Sequence, residues 1–222
     1  MNAPSHTFPA AVPRTPVRVA QGLLRTLPYR RLHRAADDGQ HLEARLAGVT
    51  VRAAQPSDIG ALQELYASLS KHTRAQRFFS PLRELPREML NAIESGDPAH
   101  RFLVVEGPEG KGNGTLLGLG QYAVEPGQAH CELALLIADE WQGCGLGTRL
   151  LDQLLQDAAA SGLREARLET LHGNQAMRAL ARRAGFSVRM HPEDSLLLLG
   201  CRALAGQDPH PKVRSQAVAA AI

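Results

Sequence analysis

The sequence predicts an α+β fold on a mixed, mainly antiparallel sheet flanked by helices, and three observations carry the prediction. An opening strand and helix pair gives way to three strands in a row, set apart by turns rich in Gly and Pro. One β-α-β unit follows, and two short strands close the pattern. A fold in which strand and helix alternate from the start would show neither the run of three strands nor the terminal pair.

Thr50–Ala53 alternates as a short strand, and Ser57 is placed to cap a helix over 57–68, with Ile59, Leu62, Leu65 and Tyr66 on one stripe. Helical segments are expected over 72–79 and 86–93. Strands at 101–106, 116–123 and 131–137 are separated by Gly107-Pro108-Glu109-Gly110 and Pro126-Gly127, which reads as an antiparallel meander. Leu146, Leu150, Leu151, Leu154, Leu155 and Ala158 recur at helical spacing, with Arg149, Asp152, Gln153 and Asp157 on the wet face. Ser161-Gly162 ends that helix; a strand over 166–171, a helix over 174–184 and strands over 186–190 and 195–201 complete the order.

A chain of 222 residues, 44% apolar, buries a full core, and one domain over 49–204 accounts for every element. Residues 1–48 carry seven Arg against three acids together with Pro4, Pro9, Pro13 and Pro16, the composition of a disordered or partly helical basic arm. Residues 205–222 read as a second tail. Three cysteines, an odd number, provide no disulfide framework and point to a reducing compartment, with the cytoplasm as the expected location. No apolar run approaches the ~18 residues of a membrane span, so no membrane partner is expected. Arginine far outnumbers lysine, as in a GC-rich bacterial genome. Nine histidines and three cysteines show no H-x-x-x-H or C-x-x-C spacing, and no metal site is expected.

The chemistry enters at Gln142-Gly143-Cys144-Gly145-Leu146-Gly147, between the strand ending at Ile137 and the leucine-striped helix. Glycines at a helix N-terminus free backbone N–H groups to converge on a phosphate, and the helix dipole adds favourable charge. The expected ligand is a nucleotide or coenzyme A. A Walker A loop requires Gly-Lys-Ser/Thr, which the chain lacks, and a dinucleotide fingerprint requires glycine where Thr148 stands. On the preceding strand a period of two sets Glu132, Ala134 and Leu136 on one face, with Cys131, Leu133, Leu135 and Ile137 on the other. Glu132 is the only charge in that strand. Alone it would mark a wet strand end; ten residues before a phosphate loop it reads as a catalytic base.

Q-x-x-G-x-G after a strand bearing a carboxylate resembles motif A of the GNAT superfamily of N-acetyltransferases. Asn174-Gln175-Ala176-Met177 and Ala181-Arg182-Arg183-Ala184-Gly185-Phe186 resemble that family's later segments. The resemblance covers about 50–204 and implies a GNAT-like twisted sheet whose single β-α-β unit holds acetyl-CoA. The pyrophosphate would lie on Gln142, Gly143, Cys144, Gly145, Leu146, Gly147 and Thr148. The pantetheine arm would run along Leu135, Leu136 and Ile137, where a splayed strand leaves an N–H free to polarise the thioester carbonyl. Asn174 is equally a pantetheine ligand and a helix N-cap.

Glu132-Leu133-Ala134-Leu135 resembles the E-[FL]-A-[VL] strand of bacterial Pat-type protein-lysine acetyltransferases, whose glutamate is the base. The segment Ser70 to Pro86 is similar to the substrate-side helices of those domains. Partial burial of Glu132 would raise its pKa toward neutrality, as suits a base. The position where many GNAT enzymes carry a tyrosine acid is Ala181, which leaves the general acid unassigned.

A cysteine nucleophile is the rival mechanism, but Cys144 lies in the pyrophosphate loop and Cys131 faces away from Glu132, so both read as small fillers. His130 reads as a solvated strand start, and Glu165 and Glu169 as solvent-facing. Arg74, Arg77 and Arg83 surround Phe78 and Phe79, which read as packing residues rather than a base-stacking surface; nucleic acid is not expected as a partner. The reading is direct acetyl transfer from acetyl-CoA to a protein lysine. Its alternatives are a small-amine acetyltransferase and a nonenzymatic acetyl-CoA sensor.

Overall fold

The computed structural model describes residues 46–108 and 115–204. The expectations for the N-terminal arm up to residue 45 and for the tail beyond 204 lie outside the described residues. Seven strands form one sheet: β1 (Thr50–Ala53), β2 (His100–Glu106), β3 (Leu116–Ala123), β4 (His130–Ile137), β5 (Glu165–Leu171), β6 (Ser187–Met190) and β7 (Leu197–Ala203). Their spatial order is β1-β2-β3-β4-β5-β7-β6. Only β4 and β5 pair in parallel. The expected mixed, mainly antiparallel sheet is the one observed.

Among the described residues five α-helices cover the two faces: α1 (Ile59–Ser68), α2 (Lys71–Phe78), α3 (Arg87–Ser95), α4 (Leu146–Ala160) and α5 (Gln175–Arg183). Leu150, Leu151, Leu154 and Ala158 of α4 are wholly buried against Cys131, Leu133 and Ile137 of β4 and Leu168 of β5. Each buried leucine contributes about 1.5–3 kcal/mol. Across the sheet, Leu62, Leu65 and Tyr66 of α1 and Met89 and Ile93 of α3 pack on Phe102, Val104, Leu119 and Leu136. The two-residue period of β4 is thus read out as two separate cores.

Element ends depart from the expected ones by at most two residues, and two features have local causes. Ser57 caps nothing: Pro56–Asp58 forms a 3₁₀ turn, and the Asp58 carboxylate accepts the Gln55 N–H at 2.7 Å. Arg52 holds that carboxylate with two N–H bonds, at 2.7 and 2.9 Å, and donates to Glu106 at 2.7 Å. The Arg52 bond comes first among the causes that hold the Asp58 carboxyl below its ordinary range. At the other end, the last strand inserts between β5 and β6, pairing Leu168 with Gly200 and Val188 with Gly200. Gly200 admits this because an added Cβ would stand 3.0 Å from Leu168.

Candidate active site

The parallel β4–β5 ladder stops at Leu133 and Leu168, yet β4 runs on to Ile137 and β5 to Leu171. The two strands part, while β4 remains paired with β3 through Ile137 and Gly118. The Ala138 N–H donates to the Leu117 carbonyl at 2.8 Å, so alternation turns the even-numbered amides of β4 toward β3. The amides of Leu135 and Ile137 therefore face the gap. Leu136 points its amide to β3 and its side chain into the α1 core, so of the three expected pantetheine contacts two offer an N–H there.

The phosphate loop follows directly. Asp139–Trp141 makes a 3₁₀ turn, after which Gly143 and Gly145 adopt positive φ, 78° and 91°, where a side chain would be strained. An added Cβ on Gly145 would meet nothing within 4 Å, so the loop surface there is open. Gly145 is the N-cap of α4, and no side chain caps the helix. The leading N–H groups of α4 are thereby left for an external acceptor. Leu146 is buried and can contribute only its backbone, while Thr148 and Arg149 already bond the Gly145 carbonyl at 3.0 and 3.1 Å. A cradle of amides beside a parted sheet fits a pyrophosphate and an extended thiol arm; residues 143–147 would hold the first and Leu135 and Ile137 the second.

Gln142 serves this site indirectly. Its Nε2 donates to the Ile137 carbonyl at 3.0 Å and to the Thr73 hydroxyl at 3.1 Å. Cys144 is buried with its thiol donating to the Trp141 carbonyl, and burial pushes the Cys131 thiol up to about 11. Neither has the character of a nucleophile. The Asn174 Oδ1 accepts the Met177 N–H at 3.0 Å as the N-cap of α5, which leaves its NH₂ for a ligand. Ala181 is fully buried beneath α5 and carries no acid.

Glu132 lies in a row across the sheet with His100, Ala123 and Arg167. Its side chain is exposed rather than partly buried, which corrects the expectation. Ala123 is too small to cover it, and its other neighbour, Arg167, is turned to Glu165 and donates to His130 Nε2 at 3.1 Å. His130 and Glu165 are therefore partnered rather than free at the edge. Glu169, on the same face, meets His191 Nε2 at 3.3 Å.

Two contacts had no signature in the sequence. Asp139 accepts hydrogen bonds from the Ser70 N–H at 2.7 Å, the Ser70 hydroxyl at 2.8 Å and the Thr73 hydroxyl at 2.6 Å, tying the start of α2 to the phosphate loop. The second joins α2 to the sheet: Arg77 donates to Gln121 Oε1 at 2.8 Å. Phe78 packs edge-on against Tyr66 as expected, but Phe79 is exposed at the end of α2 with φ 56°. Beside Gln121 opens a cleft of about 540 Å³ between α3 and β2, lined by Glu88, Met89, Asp97, His100 and Phe102. Among the described residues no group of three or more His, Cys, Asp or Glu is placed to hold a metal ion, and no helix is long and apolar enough to cross a membrane.

A parted parallel strand pair beside an uncapped glycine-rich helix start leaves backbone N–H groups open to an extended, phosphate-bearing ligand. Residues 62–186 match the model of the acetyltransferase (GNAT) family, and the chain belongs to that family. It is 29% identical over 168 residues to the acetyltransferase PA5475 of Pseudomonas aeruginosa, covering 76% of this chain and 87% of that one. Its fold is similar to the GNAT domain of S. lividans PAT, with a TM-score of 0.62 and 21% identity over 70% of this chain and 90% of that one. It is also similar to spermidine N-acetyltransferase from Vibrio cholerae, solved with CoA and spermine, with a TM-score of 0.58 and 20% identity over 71% and 96%. The protein is thus an acetyltransferase whose class draws its acetyl group from acetyl-CoA.

Proposed function

We propose that the protein transfers acetyl from acetyl-CoA to a primary amine, a lysine side chain of a protein, by direct attack with Glu132 as general base. The observation that carries the reading is the relation between Glu132 and the β4–β5 gap. Glu132 sits in the stretch of β4 that is paired with β5, and the Leu135 amide opens into the gap three residues further on. A lysine ammonium, with an ordinary pKa of ~10.4, must lose a proton before or during attack. An exposed carboxylate at the mouth of the gap can accept it. The Leu135 N–H would polarise the carbonyl, and residues 143–147 would anchor the pyrophosphate. No side chain is assigned to protonate the departing thiolate, since Ala181 is apolar and buried; a thiol of pKa ~8.5 leaves tolerably without help.

The protein-lysine acceptor rests on the likeness of the Glu132 strand and the α2 region to Pat-type domains. A second reading, a small amine as acceptor, is favoured by the cleft at Gln121, which opens on the Glu132 face and has the volume of a small-molecule site. Thiol release from acetyl-CoA, assayed against a bacterial lysate proteome and a panel of small amines, separates the two. Discrete acetyl-lysine products support the first, release with small amines alone supports the second, and binding without release on any amine overturns both.

A further inference from the structure

We propose that Arg77 reads a carboxylate on the acceptor, so that the amine acetylated here is one that also bears a carboxylate a few bonds away. The inference deepens the proposed acetyl transfer and rests on Glu132 marking the reacting end. Three of the described arginines are met by acids: Arg52 by Asp58 and Glu106, Arg101 by Asp157, Arg167 by Glu165. Arg77 is not. Its guanidinium stands 4.4 Å from the Phe78 ring centroid and gives one N–H to the neutral Gln121 amide, and no carboxylate among the described residues pairs with it. Burial pulls its pKa down to about 10, the mark of a cation deprived of water without a counter-charge.

One turn earlier on α2, Arg74 lies over the Tyr66 ring at 5.7 Å, and its buried Nε has no partner. Neither arginine has an acid partner among the described residues, and of the two it is Arg77 that reaches the sheet, through Gln121. A guanidinium has five N–H donors in a fork that matches a carboxylate. A half-buried charge without a counter-ion costs stability that an apolar side chain of the same length would not.

The place fixes the role. Gln121 pairs with Ala134 across β3 and β4, so it is the diagonal neighbour of Glu132 on the same face. Diagonal neighbours stand about 7–8 Å apart, a spacing that one small molecule or one peptide segment spans. Gln121 also lines the cleft between α3 and β2, so that open space reaches the residue Arg77 bonds. A carboxylate seated on Arg77 would set the amine at the base.

The test uses matched acceptors: L-lysine and β-alanine against their carboxamides, and a lysine peptide with Asp against Asn beside the lysine. Binding to the CoA-loaded protein is measured by calorimetry, and turnover by thiol release. The carboxylate form should bind and react at least tenfold better in kcat/KM, and Arg77→Gln should lose that preference through KM, with Arg77→Lys in between. Gln121→Glu supplies Arg77 with an internal carboxylate and should remove the preference with the arginine still in place, a control for any folding defect of Arg77→Gln. The amino acids and the peptide separate a free metabolite from a protein segment as the source of the carboxylate. Carboxamides bound as well as acids, or a preference that survives both variants, would overturn the proposal. Carboxylate-dependent binding without thiol release would instead retire the transfer reading and leave Arg77 as a carboxylate-binding residue alone.

Discussion

Asp139, two residues beyond β4, and Thr73, in the first turn of α2, are joined by a 2.6 Å hydrogen bond from the threonine hydroxyl to the carboxylate. Ser70 adds two more bonds to the same carboxylate, and Gln142 reaches the same threonine. The helix that walls the acceptor face and the loop that would hold the pyrophosphate are therefore one mechanical unit.

Removing that carboxylate should loosen both sides together. Asp139→Ala should cost about 1 kcal/mol, the low end for lost charge-assisted bonds because Asp139 and Ser70 are exposed, and should raise KM for both substrates. Denaturant unfolding and bisubstrate kinetics check this; a change in one KM alone would mean the tie does not couple them.

The tie also has a pH signature. Burial opposes the Asp139 charge, but bonds from Thr73 and Ser70 outweigh it and hold the carboxyl below its ordinary 3.8. A lowered native pKa stabilises above the ordinary value and loses that contribution as pH falls through the native one. The stability difference between the wild type and Asp139→Asn should be flat from neutral pH to about 5 and shrink below about 4. Unfolding curves across that range would show it, and a difference that persists at pH 2 would refute it.

Glu132→Gln should leave acetyl-CoA affinity intact and lower kcat by about 10²–10⁴. Because Glu132 is exposed, the substitution should barely move the melting temperature. Near-wild-type turnover would sink its assignment as the base.

Gly145 separates backbone strain from charge. At φ 91° with open space around it, Gly145→Ala meets no atom but holds a strained conformation, at about 1–2 kcal/mol. Gly145→Glu adds a carboxylate where the phosphates are expected, and acetyl-CoA binding by calorimetry should disappear. Unchanged affinity would mean that the loop binds something else.

Two glycines on β3 should behave differently. A Cβ at Gly120 would press on the ends of Leu150 and Leu154, at 2.8–3.0 Å, so Gly120→Ala should cost about 1–3 kcal/mol and leave the cofactor KM alone. A Cβ at Gly118 would also meet the Leu136 carbonyl at 3.0 Å, which is backbone of the parted stretch. Gly118→Ala should therefore weaken acetyl-CoA binding as well, and equal cofactor KM values in the two variants would remove Leu136 from the argument.

What the sequence made legible was whatever leaves a period or a break. The leucines of α4 and the alternation of β4 foretold both cores, and the glycines at 143, 145 and 147 foretold the uncapped helix start. The contacts of Asp139 with Ser70 and Thr73 span 69 and 66 residues, and that of Arg77 with Gln121 spans 44. Such partners share no local spacing, so only the fold brings them together. The exposure of Glu132 was not legible, because it depends on the small residue paired with it on the neighbouring strand, Ala123, which no period within β4 reveals.

The parting of β4 from β5 leaves a sheet with one strand's worth of ladder unmade, and the extended arm of the cosubstrate has the shape and the acceptors to make it. Acetyl-CoA in that reading is a structural member as much as a reagent. Whatever binds the native chain and not the unfolded one raises its resistance to unfolding by mass action, about 2.7 kcal/mol at a hundredfold excess over Kd. The lifetime of this protein would then rise and fall with the acyl-CoA supply of its surroundings, so that a starved cell would hold less of the enzyme as well as less for it to transfer.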